Sequence, residues 1–269
     1  MKATGLRAIT ASAVAAALIA LAAPFAPANA SSGAALGGAY SCVTSQEPHG
    51  TCGPYDDYSR ISVPGPNVTA PYVDQNAWAN NPGYTSTLHA NSPGDWYLTA
   101  SVETHDGGVQ AYPNSGWGMA WPEVAIDSYA STVSTYKESF THNSKVIAWA
   151  AYDLWFNNWV NEVQIQVDFS VNQFYDCTPV ASATIFGEPW HLCVFGSELV
   201  WKAGTSDQAQ RNKTSGTVHI KAMLDWLEEH GYLPKDSTWT QGSFGFEICD
   251  TGGTTATFRV SGLSLKATS

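Results

Sequence analysis

The segment Asn161-Glu162-Val163-Gln164-Ile165-Gln166-Val167-Asp168-Phe169 alternates polar and apolar side chains for nine residues. A period of two belongs to an extended strand, because successive side chains there point to opposite faces. Alternation sends Val163, Ile165, Val167 and Phe169 to a core face, and Glu162, Gln164, Gln166 and Asp168 to the opposite one. Short β-type segments recur from about Tyr72 onward, separated by Gly, Pro and Asn turn signals. They cover residues 96–103, 145–156, 160–169, 182–186, 190–195, 198–202, 244–249 and 256–265. Many short strands at close spacing imply an all-β sandwich or barrel. Residues 218–230 depart from this pattern. Ile220, Met223, Leu224 and Leu227 recur at helical spacing, and Gly231 and Pro234 follow as stop signals, so one amphipathic helix packs on the sheet. Asp225, Glu228 and Glu229 then form its solvated face. With no internal repeat and no long linker, a single domain is expected.

The first thirty residues carry Lys2 and Arg7, then an apolar run rich in Ala and Leu, then Ala28-Asn29-Ala30. This is the layout of a secretory signal with its cleavage site, too short and wrongly flanked for a membrane span. A secreted, extracellular product is expected, with residues 31–70 as an N-terminal extension joining the sheet and residues 71–269 as the main domain. Export permits disulfides. Of five cysteines, Cys42 and Cys52 enclose a short Gly/Pro/Ser-rich segment, and Cys177 and Cys193 flank a turn between strands. Those two bridges are expected, which leaves Cys249 as a buried thiol.

Composition narrows the function. Only 13% of residues are charged, about half the usual share near 25%, while there are 11 Trp, 12 Tyr and 10 Phe. A net charge of −11 argues against nucleic acid and against anionic membranes, both of which need clustered Lys and Arg. No His or Cys spacing suits a metal, so neither metal nor cofactor is expected. There is no Gly-x-Ser-x-Gly elbow for a serine hydrolase. What stands out is carboxylates inside apolar strands: Asp153 in Tyr152-Asp153-Leu154-Trp155, Glu162 on the next strand, and Glu247 in Gly245-Phe246-Glu247-Ile248-Cys249. Burial there raises a carboxyl's proton affinity. One ionised and one protonated carboxyl on a shared face is the equipment of glycoside hydrolysis, and surplus Trp and Tyr offer platforms for sugar rings.

These residues resemble glycoside hydrolase family 12. Tyr152-Asp153-Leu154-Trp155, Asn161-Glu162-Val163 and Gly245-Phe246-Glu247 stand in the family's order. Gln75-Asn76-Ala77-Trp78 is similar to its Asn-Asn-x-Trp cleft strand, and Val109-Gln110-Ala111-Tyr112-Pro113-Asn114 to its Ser-Tyr-Pro-Asn turn. The helix before the last Glu strand also fits. The resemblance runs from about Tyr72 to Thr268. It implies a β-jelly-roll sandwich of two antiparallel sheets with one helix, acting as a monomeric, retaining endo-β-1,4-glucanase on cellulose-type or mixed-linkage β-glucan. It also implies Glu162 as nucleophile, Glu247 as general acid/base and Asp153 as the residue tuning Glu162. Asn76 and Trp78 would bind substrate.

Three departures qualify the resemblance. The family usually has Glu-apolar-Met-apolar-Trp at the nucleophile strand, and here Gln164 and Gln166 occupy the Met and Trp positions, making them candidate substrate-binding residues. A register slipped by two would place Gln164 at the nucleophile position and yield an inactive relative, and strand parity does not separate the two. After Glu247 the chain has Ile248-Cys249 where Pro-Trp or Pro-Phe is common. The rival readings are a noncatalytic carbohydrate-binding sandwich, a xyloglucanase, and a xylanase of the related jelly-roll family 11.

Overall fold

The computed structural model describes residues 40–43, 51–54, 61–62, 72–77, 83–103, 108–118, 124–170, 177–204 and 211–268, with side chains from residue 72 onward. The strands, in chain order, begin with β1 (Tyr40–Val43), β2 (Thr51–Pro54), β3 (Ile61–Ser62), β4 (Tyr72–Asp74), β5 (Thr85–Ser92) and β6 (Asp95–Ser101). Next come β7 (Asn114–Gly118), β8 (Val124–Ala125), β9 (Ser131–Phe140), β10 (Ile147–Phe156), β11 (Asn161–Phe169) and β12 (Ala181–Ile185). After β13 (Glu188–Phe195), β14 (Glu198–Ala203) and β15 (Ser215–His219), the helix α1 (Ile220–Glu229) leads to β16 (Thr238–Asp250) and β17 (Ala256–Thr268).

Two sheets result. One runs β1-β5-β6-β17-β9-β15, with β3 on β17; the other runs β12-β13-β14-β11-β10-β16-β7-β4-β2, with β8 on β16. The jelly-roll expectation of two sheets and one helix is borne out. Pairing is antiparallel except for β3 with β17 and β11 with β14. Residues 1–30, read as a signal, lie outside the described residues, as do the side chains of Cys42 and Cys52. Among the described residues no helix is long and apolar enough to cross a membrane.

The sheets are joined by aromatic side chains. Tyr136 and Phe140 of β9 meet Phe244 and Phe246 of β16 at centroid distances of 5.6 and 5.9 Å. The Tyr152 hydroxyl crosses the interior to donate to Ser134 Oγ at 2.8 Å. Rings this large bury more apolar area than any other side chain, which is how a chain so poor in charge gains its core. Tyr152, Leu154 and Phe156 of β10 and Val163, Ile165 and Val167 of β11 face inward as parity requires. Cys177 and Cys193 are bridged, and Cys249 is a buried free thiol, both as expected.

Three local expectations are corrected. Residues 218 and 219 end β15, so the helix begins at Ile220. Glu228 is not on a solvated helix face but is 8% exposed. The third concerns β11 itself. Ala150 of β10 pairs with Asp168 and Ala151 with Gln166, so Val167 is an extra, unpaired residue. A bulge of this kind reverses parity beyond it. Asp168 therefore turns into the interior beside Ala150, fully buried, and Phe169 joins Trp149, Ala151 and Cys249 on the outer face.

Candidate active site

Reading across the outer face of the ten-stranded sheet, the registers set side chains in rungs. Gly118, Gln241, Trp155, Glu162, Glu198 and Phe195 share one rung. The next holds Tyr72, Gly116, Ser243, Asp153, Gln164 and Val200, and the one after that Asp74, Asn114, Gly245, Ala151, Gln166 and Lys202. Glu247 pairs with Trp149 further along β10. The three carboxylates singled out in the sequence, Asp153, Glu162 and Glu247, are thus brought to one face. Gly116 has a steric purpose here: a Cβ would lie 2.2 Å from Tyr72 Cζ, so only glycine lets that ring lie across β7. The Tyr72 hydroxyl then accepts from Gln241 Nε2 at 3.0 Å.

Glu247 is held by a relay of side chains. Trp149 Nε1 donates to Gln164 Oε1 at 3.0 Å, and Gln166 Nε2 donates to the same oxygen at 2.5 Å. An indole nitrogen is only a donor, so it fixes which end of the Gln164 amide is oxygen. Gln164 Nε2 must then face the carboxylate, and it donates to Glu247 Oε1 at 2.6 Å. Gln164 is 2% exposed and Gln166 1%. Gln164 is therefore turned to Glu247, Gln166 backs it, and neither of the two amides offers much surface to solvent.

Electrostatics hold protons on this face. Glu247, 7% exposed, is pushed well above the usual carboxylate range by desolvation, then by the charges of Asp153 and Glu198; its bonds from Gln164 and Trp149 oppose this. Glu162 is also pushed well up, by desolvation and by Asp153, Glu198 and Glu247. Desolvation raises Asp153 to about 6, although Trp155 Nε1, 3.1 Å from Asp153 Oδ2, favours its ionised form. Asp153 and Glu162 stand on adjacent strands of this face, close enough for each to shift the proton affinity of the other. Each biases the ionisation of the other, so the pair titrates as a unit.

Two acidic residues on this face escaped the sequence reading. Desolvation and the Asp153 charge raise Glu198 to about 7, and burial raises Asp74 to about 6. Glu198 reaches Glu162 only through the parallel pairing of β11 with β14, which no local pattern announces. Asp74 alternates with the buried Val73, and that was its available signal. Asp74 Oδ1 accepts from the Asn76 backbone N–H at 2.8 Å, closing a turn in which Asn76 adopts φ of 39°. Asn76 lies two residues beyond the outer-face Asp74, while Trp78 lies outside the described residues. Gln75 turns inward, accepting from Ser86 Oγ at 2.9 Å.

For cations, Asp127, Asp225 and Glu228 form a group with ligand atoms within 4.8 Å of one another. The Lys221 ammonium bonds Asp225 and Asp127, so a lysine already supplies positive charge there.

Solved structures share this fold. The xyloglucanase domain of NopAA from Sinorhizobium fredii is 17% identical, with 85% of this chain and 98% of that chain aligned at a TM-score of 0.64. A family 12 xyloglucanase from Bacillus licheniformis is 18% identical over 81% of this chain and 99% of its own, TM-score 0.59. The chain has the family 12 glycoside hydrolase fold. The family 12 endoglucanase 3 of Trichoderma harzianum gives 19% identity, 77% and 93% coverage and a TM-score of 0.60. No family model and no curated protein matches the sequence. Five short motifs in order thus pointed to a fold that overall identities of 16% to 20% obscure.

Proposed function

We propose that this protein is a secreted, retaining endo-β-1,4-glucanase that hydrolyses cellulose-type or mixed-linkage β-glucan. The observation that carries the reading is the convergence on one sheet face of Glu247, bonded by Gln164, with the neighbouring carboxyl dyad Asp153–Glu162. In the first step a Glu162 carboxylate oxygen attacks the anomeric carbon. The glycosidic bond breaks, and Glu247 gives its proton to the departing oxygen. In the second step Glu247, now ionised, takes a proton from water as the water oxygen attacks the same carbon, and the ester to Glu162 is released. For this attack the dyad proton has to pass from Glu162 to Asp153, so that the attacking oxygen is ionised. Gln164 bonds Glu247 Oε1, which leaves the other oxygen to carry the transferred proton. Asn76 and Trp78 bind a glucosyl unit, residues 1–30 direct export, and the chain acts as a monomer without a cofactor.

Xyloglucan is the second substrate to test, because two of the similar solved structures are named xyloglucanases. The decisive experiment is a panel of carboxymethyl-cellulose, mixed-linkage glucan, xyloglucan and xylan, assayed with the parent, Glu162→Gln and Glu247→Gln. Proton NMR of the first product should show the β-anomer before mutarotation. Equal rates for all three proteins would sink the assignment, and glucan binding without release of reducing sugar would establish the noncatalytic reading.

A further inference from the structure

The turn between β10 and β11 is unusual in its backbone. Asn157, Asn158 and Trp159 adopt φ of 56°, 54° and 68° in succession. The left-handed region is tolerated by Asn but is a genuine outlier for a side chain as large as Trp. Such a conformation persists only when its surroundings over-determine it. They do so here. Asn157 exchanges bonds with Thr238, its N–H donating to the Thr238 carbonyl at 2.8 Å and its Oδ1 accepting the Thr238 N–H at 2.9 Å. Asn157 Nδ2 donates to Asn161 Oδ1 at 2.8 Å and to Ser237 Oγ at 3.1 Å, and the Asn158 N–H donates to Thr240 Oγ1 at 3.0 Å. The turn is thus pinned to β16, the strand that carries Glu247.

This rigid turn presents an indole to solvent. Trp159 is 47% exposed, and its ring centroid lies 5.5 Å from that of Trp155. Trp155 shares a rung with Glu162 and Glu198 and donates to Asp153. The two indoles are therefore an apolar extension of the carboxylate face at its β10–β11 rim. We propose that Trp159, backed by Trp155, is a carbohydrate-stacking site that takes the apolar face of a pyranose ring of the β-glucan. The inference rests on the glucan reading and adds to it a site outside Asn76 and Trp78. An indole face offers a flat apolar surface at low conformational cost, because only two side-chain torsions need be fixed.

The test measures binding, which does not depend on hydrolysis. Affinity of the full chain carrying Glu162→Gln is determined by calorimetry for cellohexaose and for a xylosylated gluco-oligosaccharide, with and without Trp159→Gly or Trp159→Phe. Glycine accepts the positive φ without strain, so Trp159→Gly should melt no lower than its parent. Loss of an aromatic anchor should weaken binding about tenfold, while Trp159→Phe stays within about threefold of the parent. A loss on cellohexaose assigns the site to a backbone glucosyl unit; a loss confined to the branched ligand assigns it to a xylosyl branch. Unchanged affinity of a folded Trp159→Gly protein for both ligands overturns the stacking site and leaves the glucanase reading intact. If the parent binds neither ligand, the glucan reading itself falls.

Discussion

Strand β11 supplies carboxylates to two sides of one sheet, and the two groups differ in almost every physical respect. On the outer face, Glu162 stands with Asp153, Glu198 and Glu247, and every charge acting on it is negative. On the inner face, past the Val167 bulge, Asp168 is sealed between the sheets. It takes a bond of 3.2 Å with His142 Nε2 and another from the Phe169 N–H at 2.8 Å, and it acts electrostatically on the buried Glu138. Desolvation and the Asp168 charge raise Glu138 to about 10. The inner group is closed and has no route to a polymer. The outer group is only partly covered and is flanked by aromatic rings. Raised proton affinity alone therefore does not mark a catalytic carboxyl; it must coincide with a surface that a substrate can reach.

The largest effects are expected in the outer group. Glu162→Gln or Glu247→Gln should each lower kcat on mixed-linkage glucan by about 10³-fold or more, with melting temperature unchanged or raised as repulsion is relieved. A loss below tenfold for either would collapse the distinction between the two faces.

The inner group should govern stability. Glu138 in the folded protein holds a proton that the unfolded chain gives up near its ordinary value of 4.5. The stability this contributes is complete below that value and is lost as pH rises toward about 10, at up to about 1.4 kcal/mol per pH unit. Thermal melting of the parent should accordingly fall between pH 5 and 9. Glu138→Gln, which keeps the shape of the protonated acid, should flatten that slope while kcat at pH 6 stays within about twofold of the parent. A slope identical in parent and variant would remove Glu138 from the account.

Finer effects separate members of the outer group. Gln164→Met removes the donor that stabilises ionised Glu247, so Glu247 should hold its proton longer and the alkaline limb of kcat/KM should move upward by about one pH unit. A downward shift would contradict the relay. Glu198→Gln removes a negative neighbour of Glu162, so the dyad should ionise more readily and the acidic limb should move down by about half a unit. An unmoved acidic limb would show that Glu198 shares the rung without coupling to the dyad.

Much of this was legible along the chain. Period-two alternation identified β11 and its core residues Val163 and Ile165, and helical spacing with Gly231 and Pro234 located α1 to within two residues. Carboxylates inside apolar strands singled out Asp153, Glu162 and Glu247, because a charge in such company has to be paid for by a neighbour, a proton or a function. The face occupied by Asp168 and Phe169 was misread because a bulge depends on the partner strand, and a period-two count has no means of registering it. Glu228 was misread for a similar reason: its helix position is polar in sequence, and packing covers it.

What lies in the residues themselves is strand parity, helix periodicity and the chemistry of each side chain, since these follow from covalent geometry over a few neighbouring positions. Pairing between distant segments belongs to the tertiary structure. Parallel registration of β14 on β11 delivers Glu198 to Glu162, the extra Val167 moves Asp168 from the outer face to the interior, and bonds from β16 pin Asn157 and Asn158, the residues that lead into the left-handed Trp159. Each is a contact between residues far apart in the chain, and its energy is settled only when the sheets have closed around it.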